Sequence, residues 1–165
     1  METRKISIEF EEYKGIDETD ASTASLINKA IEAIKTAYAP YSMFRVGAAV
    51  RLNTGQISSG SNQENVAYPS GLCAERVALF SAAAQHPEAT IEAIAVTASH
   101  DFGDSDEVFS PCGACRQVMA EFEQRSGKKI KIIIKAPNGK VRVFNGISQL
   151  LPFSFNNPAL NKSKK

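Results

Sequence analysis

Leu72-Cys73-Ala74-Glu75-Arg76-Val77-Ala78-Leu79-Phe80-Ser81-Ala82-Ala83-Ala84 is built mostly from strong helix formers and runs toward a breaker at Pro87. It predicts a helix over 72–84, and the runs on either side predict strands. Upstream, 44–52 reads as a buried strand, Asn53-Thr54-Gly55 as a turn, and 56–61 as the returning strand of a hairpin. Downstream, 91–98 is a short, nearly continuous apolar run of the kind found in a central strand. A third helix is expected to begin at Pro111, a favoured first helical position, and to end at Gly127. Strands over 130–136 and 141–144 then flank Pro137-Asn138-Gly139-Lys140, and a short helix is expected near 147–151.

Toward the N-terminus, Ile6, Ile8 and Phe10 alternate within 4–13, which predicts a strand, followed by a turn over 14–20. A first helix follows, capped by Asp17, Thr19 or Asp20, with Leu26, Ile27, Ala30, Ile31 and Ile34 as its apolar stripe and Pro40 as its stop. Helices alternating with strands point to a three-layer α/β/α sandwich around one mixed sheet of about five strands. The chain reads as a single domain over 1–165, with an N-terminal extension over about 1–19 and a lysine-rich, disordered tail over about 156–165.

Bulk composition limits the functional class. The 165 residues carry 19 Lys and Arg against 18 Asp and Glu, a net charge of +1. That balance offers no strong field for holding a long nucleic acid by its phosphates, and it favours a small substrate. No run is long and apolar enough to cross a bilayer, and the first residues lack the apolar core of a signal peptide, so a cytoplasmic, reducing location is expected. In that compartment three cysteines are poor disulfide candidates, and their odd number leaves one unpaired. The acidic stretch with Asp101, Asp104, Asp106 and Glu107 lacks the glycine and final glutamate of an EF-hand and reads as a solvated loop.

The cysteines fall in two short motifs, Cys73-Ala74-Glu75 and Pro111-Cys112-Gly113-Ala114-Cys115, each at a predicted helix start. Helix N-termini lower thiol pKa values and stabilise thiolates. Three sulfur ligands leave one tetrahedral position of Zn²⁺ open, which marks a catalytic rather than a structural site. His86 and His100 are the only histidines, and neither lies near these motifs in the sequence. Glu75, two residues after a candidate ligand, is placed to move protons between a water and a substrate nitrogen, although taken alone it reads more readily as a helix-capping acid. Arg76 is either a charge-balancing donor to the thiolates or an ordinary surface arginine. A Cys-x-x-Cys also occurs in redox pairs, but those lack the third cysteine and the Cys-x-Glu.

Together the two motifs match the signature of the zinc nucleobase deaminases in its three-cysteine variant. The stretches Tyr38-Ala39-Pro40-Tyr41-Ser42-Met43-Phe44-Arg45-Val46-Gly47-Ala48-Ala49, Asn62-Gln63-Glu64-Asn65-Val66-Ala67-Tyr68, Cys73-Ala74-Glu75-Arg76 and Pro111-Cys112-Gly113-Ala114-Cys115-Arg116-Gln117 resemble the small, homotetrameric cytidine deaminases. The resemblance runs from the first helix to Pro152. It implies one Zn²⁺ per subunit on Cys73, Cys112 and Cys115, Glu75 as proton shuttle, and hydrolysis of cytidine and deoxycytidine in pyrimidine salvage. It further implies that Asn62 and Glu64 bind a ribose hydroxyl, that Phe44 packs on the pyrimidine, that Ala74 contacts substrate, and that Tyr68 and Phe155 reach a neighbouring subunit's site. Gln63 departs from the family pattern, which more often has an aliphatic residue there. Three rival readings share parts of these motifs: a blasticidin-type aminonucleoside deaminase, a nucleic-acid or deoxycytidylate deaminase, and a non-catalytic zinc-binding module. The paired Asn62 and Glu64 argue against the first, the balanced charge against the second, and Glu75 with the spare coordination position against the third.

Overall fold

The computed structural model describes residues 1–99 and 109–156; the acidic stretch 101–107, His100 and the lysines of 157–165 lie outside the described residues. Six strands form one sheet: β1 (Glu11–Tyr13), β2 (Arg45–Leu52), β3 (Ile57–Ser61), β4 (Ile91–Ser99), β5 (Lys131–Lys135) and β6 (Val141–Asn145). Their spatial order is β1-β6-β5-β4-β2-β3, with β4 and β5 parallel and every other neighbour antiparallel. Among the described residues the α-helices are α1 (Ala21–Ala33), α2 (Ala74–Gln85) and α3 (Gly113–Ser126), with short 3₁₀ turns between elements. Leu26, Ile27 and Ala30 of α1 cover one face of the sheet, against Ala49, Ala95, Ile133 and Val143. Ala78, Leu79 and Ala82 of α2 with Met119 and Phe122 of α3 cover the other, against Val50, Ile94, Val96, Ile132 and Phe144. The expected α/β/α sandwich is therefore the observed one.

Local chemistry explains the element ends. Of the three candidate caps, Asp20 is the one used: its carboxylate accepts from the Thr23 N–H at 2.8 Å and from the Thr23 hydroxyl at 2.7 Å. Those two hydrogen bonds hold its acidity well above that of an ordinary aspartic acid. Gly55, at φ 83°, makes the β2–β3 hairpin turn where the sequence placed it. Gly127, at φ 65°, ends α3 in the left-handed conformation.

Three expectations need correction. The sheet has six strands rather than about five, because the N-terminal extension adds β1 to the edge of β6. That strand is confined to Glu11–Tyr13 instead of running from Arg4, because its partner runs out: β6 ends at Asn145, and Gly146, at φ 103°, turns the chain away. Beyond it the Glu9 N–H bonds to the side chain of Gln149, and Phe10 stacks on Phe144 at 5.2 Å, while Ile6 and Ile8 stay about half exposed. Helix α3 starts at Gly113 rather than Pro111, because Cys112 stays extended at φ −65°, ψ 163° and serves as the cap residue.

Two close approaches set the spacing of the layers. A Cβ at Gly47 in β2 would lie 2.0 Å from the Ala30 carbonyl of α1, and one at Gly60 in β3 would lie 2.5 Å from the Ala78 nitrogen of α2. Gly60 thus lets the first turns of α2 rest directly on β3, which brings the start of that helix beside the segment leaving the strand. Just before β2, Met43 sits at φ 57°, a left-handed conformation that costs a non-glycine residue about 1–2 kcal/mol. Gly47→Ala should lower the unfolding free energy by about 1–3 kcal/mol in denaturant titration, since a backbone carbonyl cannot yield to the added carbon; an unchanged midpoint would show that the layers are not in contact there. Met43→Asn should raise stability by up to about 1 kcal/mol, because asparagine tolerates this conformation, and a lower melting temperature would contradict that account.

Candidate active site

The antiparallel β2–β3 pair places the start of β2 beside the end of β3, and Gly60 brings the N-terminus of α2 against them. A cavity of about 760 Å³ opens there, a volume suited to a small molecule. Phe44, Asn62, Glu64, Tyr68, Cys73, Glu75, Arg76 and Cys112 all line it, so eight of the sequence candidates converge on one wall.

Cys73 caps α2, Cys112 caps α3, and Cys115 lies in the first turn of α3. Their sulfurs all lie within 4.8 Å of one another, with Cys73 to Cys112 at 3.9 Å and Cys112 to Cys115 at 3.5 Å. Three sulfurs held about 2.3 Å from one tetrahedral ion stand about 3.8 Å apart, so the set is close to that geometry without rearrangement. Among the described residues no His, Asp or Glu joins them as a fourth ligand; His86 is at the opposite end of α2, as its C-terminal cap. The Cys73 thiol is lowered to about 5, chiefly by the hydrogen bond that Cys115 offers it and further by Arg76. Cys115 is pushed up, by that same hydrogen bond first and by burial second.

Arg76 answers the charge of this cluster. Its Nη2 lies 3.3 Å from the Gly71 carbonyl and 3.8 Å from Cys73 Sγ, while its buried Nε has no acceptor among the described residues. A buried guanidinium N–H without a partner is costly, and a cluster of thiolates beside it supplies the missing negative charge. Donor chemistry, sulfur spacing and this orphaned donor together fit a Zn²⁺ ion held by the three cysteines.

Glu75 is 4% exposed at the cavity wall. Burial, and then the negative charge of Cys73, raise its carboxyl above the ordinary glutamate range, toward the pH at which an acid and base can exchange a proton. Opposite, the Asn62 carbonyl accepts the Val46 N–H at 2.8 Å and its amide donates to the Phe44 carbonyl at 2.9 Å, which fixes the orientation of the side chain. Glu64 accepts the Tyr41 N–H at 2.9 Å, the Ser42 N–H at 3.3 Å and a short hydrogen bond from the Ser42 hydroxyl. Those donors, the hydroxyl foremost, hold its carboxyl below the ordinary range and keep it ionised. Phe44 faces Phe109 across the cavity with ring centres 6.1 Å apart.

Three candidates lie at the rim of the cavity or off it. Tyr68 is 75% exposed on the rim, edge-on to Tyr41 at 6.0 Å. Ala74 is fully buried and does not line the cavity. Phe155 is 73% exposed and does not line this cavity; its backbone N–H and C=O are both held by the Gln117 carboxamide, at 2.9 and 2.8 Å.

Sequence reasoning gave no role to Ser42 or Arg116, although both lie in the quoted stretches. Ser42 anchors Glu64, and the Arg116 guanidinium donates to the carbonyls of Pro111 and Leu150 and to the Ser110 hydroxyl, which braces the loop before Cys112. Phe109 and Ser110 also line the cavity, with no local signal to mark them.

Comparison with known proteins places this site in a family. Residues 21–130 match the family model described as the cytidine and deoxycytidylate deaminase zinc-binding region. A cytidine deaminase of Halalkalibacterium halodurans is 40% identical over 136 residues, covering 82% of this chain and 96% of that protein. The crystal structure of cytidine deaminase from Burkholderia pseudomallei is 41% identical with a TM-score of 0.68, covering 79% of this chain and 97% of that one. The Mycobacterium tuberculosis cytidine deaminase structure is 31% identical with a TM-score of 0.64, covering 84% of this chain and 100% of that one. With the matched region spanning the three clustered sulfurs and the buried glutamate beside them, the chain belongs to the cytidine and deoxycytidylate deaminase family of zinc enzymes.

Proposed function

We propose that this protein hydrolyses the exocyclic amine of cytidine and 2′-deoxycytidine, giving uridine and 2′-deoxyuridine with release of ammonia. The observation that carries the reading is the convergence of three sulfurs within 4.8 Å at the wall of a cavity that also contains a buried glutamate. Cys73, Cys112 and Cys115 hold one Zn²⁺ per subunit in this reading. When bound, the ion supplies Lewis acidity that makes a water molecule nucleophilic near neutral pH.

The protein's own groups do the rest. Glu75 takes a proton from the attacking water and delivers it to the ring nitrogen N3 as oxygen adds at C4. It then takes the remaining proton from the new C4 hydroxyl and passes it to the amine as the C4–N bond breaks and the C4 carbonyl forms, so one water is consumed and one ammonia released. Its pKa, raised by burial above the ordinary glutamate value, suits a group that must both accept and give a proton. Asn62 and Glu64 hydrogen-bond a sugar hydroxyl, the ionised Glu64 as acceptor, Phe44 packs on the pyrimidine, and Ala74 contacts the substrate. Arg76 balances the thiolate charge.

A neutral nucleoside suits the charges on the wall. Glu64 and Glu75 line the cavity, and Arg76, the sole Lys or Arg among the described lining residues, is engaged with Gly71 and Cys73. A phosphate or polynucleotide would meet no free cation there. We place the enzyme in the cytoplasm, where thiol ligands stay reduced, acting in pyrimidine salvage; no helix among the described residues is long and apolar enough to cross a membrane. Assembly as a homotetramer is supported by the exposed Tyr68 on the cavity rim and by Phe155, whose backbone is pinned while its ring stands in solvent.

The decisive measurement is ammonia release from cytidine alongside zinc quantification. Glu75→Gln should keep zinc and lose at least about 10²-fold in kcat, whereas Cys112→Ala should lose zinc together with activity. Near-normal turnover in the first variant, or full zinc occupancy in the second, would reject the assigned roles. Light scattering should give a mass four times that of the 17.8 kDa chain, and a monomer mass would remove Tyr68 and Phe155 as contributors to a neighbouring site.

A further inference from the structure

Gln63 lies between the two polar residues proposed to grip the sugar and lines the same cavity, while its carboxamide is turned to the end of α1. Its Nε2 donates at 3.1 Å to the Thr36 carbonyl and at 3.1 Å to the Ser61 hydroxyl. The direction of the hydrogen bonds beyond it is fixed. Thr36 Oγ1 gives its proton to the Ala33 carbonyl at 3.0 Å, so the 2.9 Å contact between the Thr36 and Ser61 hydroxyls is donated by Ser61. Ser61 is left as an acceptor, which Gln63 fills. One chain of donors therefore runs from Gln63 through Ser61 and Thr36 to Ala33, ending on carbonyls at the C-terminal end of α1, where helices leave acceptors unsatisfied. Ser61 is 4% exposed, so the middle of this chain has little access to solvent as a substitute.

The backbone of the same residue joins two further segments. Gln63 and Leu72 exchange both backbone hydrogen bonds, each at 2.9 Å, directly before the ligand Cys73. On its other side Tyr38 donates to the Asn62 carbonyl at 3.0 Å and accepts the Glu64 N–H at 2.8 Å. Gln63 is thus the point at which the exit of α1, the segment leaving β3 and the approach to Cys73 are tied together.

We propose that Gln63 is a positioning residue for substrate recognition: its carboxamide, seated on the end of α1, sets where Asn62 and Glu64 stand relative to Cys73. The proposal rests on the reading of Asn62 and Glu64 as the sugar-binding pair. Gln63 does not touch the reacting atoms, and Glu75 is held by α2, so binding of the sugar depends on Gln63 while the chemical step does not.

The test uses the zinc-loaded enzyme and two substrates, cytidine and 2′,3′-dideoxycytidine, which lacks the sugar hydroxyls those residues would contact. Gln63→Met keeps the length of the side chain and removes both donors. It should raise KM for cytidine about five- to tenfold and leave kcat within about twofold, with KM for the dideoxy substrate and the zinc content unchanged. Ser61→Ala interrupts the same chain from inside and should reproduce the pattern, and the double variant should be no worse than Gln63→Met alone. Should Gln63→Met fold poorly, Ser61→Ala carries the measurement. Unchanged KM for cytidine, or an equal loss on both substrates, would overturn the role of Gln63. Equal kcat/KM on the two substrates in the unsubstituted enzyme would instead reject the sugar-binding reading of Asn62 and Glu64.

Discussion

Negative charge concentrated at one point is the constraint around which the site is arranged. Three sulfurs within 4.8 Å of one another cannot all ionise unless something positive faces them. The fold answers with the N-termini of α2 and α3, whose partial positive charge and unpaired N–H groups lie at the cluster, and with Arg76 in the first turn of α2, three residues beyond Cys73. A zinc ion supplies the larger share when bound. The same field acts on Glu75: with Cys73 ionised beside it and little water around it, the carboxyl holds its proton more tightly than a solvated one. Ligand chemistry and proton chemistry are therefore set by one electrostatic balance.

Holding that balance requires the two helix starts to be fixed, and the sheet does this. On α2 the anchoring is the direct contact of its backbone with Gly60 in β3. On α3 it is apolar, through Met119 and Phe122 over Ile132 and Phe144, with Arg116 clamping the loop ahead of Cys112. Glu64 and Asn62, by contrast, are held by polar groups of the 41–46 stretch, so the side of the cavity bearing Asn62 and Glu64 and the side bearing the cysteines are braced by different contacts.

Much of this was legible before any coordinates. The spacing of Cys112 and Cys115, the Cys73-Ala74-Glu75 run and the alternation of helix and strand patterns are local signals, and local signals survive in a sequence. What could not be read depends on distant partners. The short reach of β1 follows from Gly146, which turns β6 away from the extension some 130 residues along the chain. The extended backbone of Cys112, which moved the start of α3, is set where the loop braced by Arg116 meets the helix rather than by helix propensity. Ser42 looks like any loop serine until Glu64 folds onto it, and Arg116 like any helix arginine until Leu150 arrives beneath it.

The glycine contact between β3 and α2 has one more consequence, for anyone wishing to reshape the cavity. No atom fits between strand and helix at Gly60, so that wall is rigid and its spacing cannot be adjusted by substitution. The side lined by Tyr41 and Tyr68 is different: both rings are exposed, and the backbone at Met43, next to the lining residues Ser42 and Phe44, already departs from its preferred conformation. Selection for bulkier base or sugar analogues has one side on which to act, and variants that accept them should accumulate on this tyrosine-bearing side of the pocket.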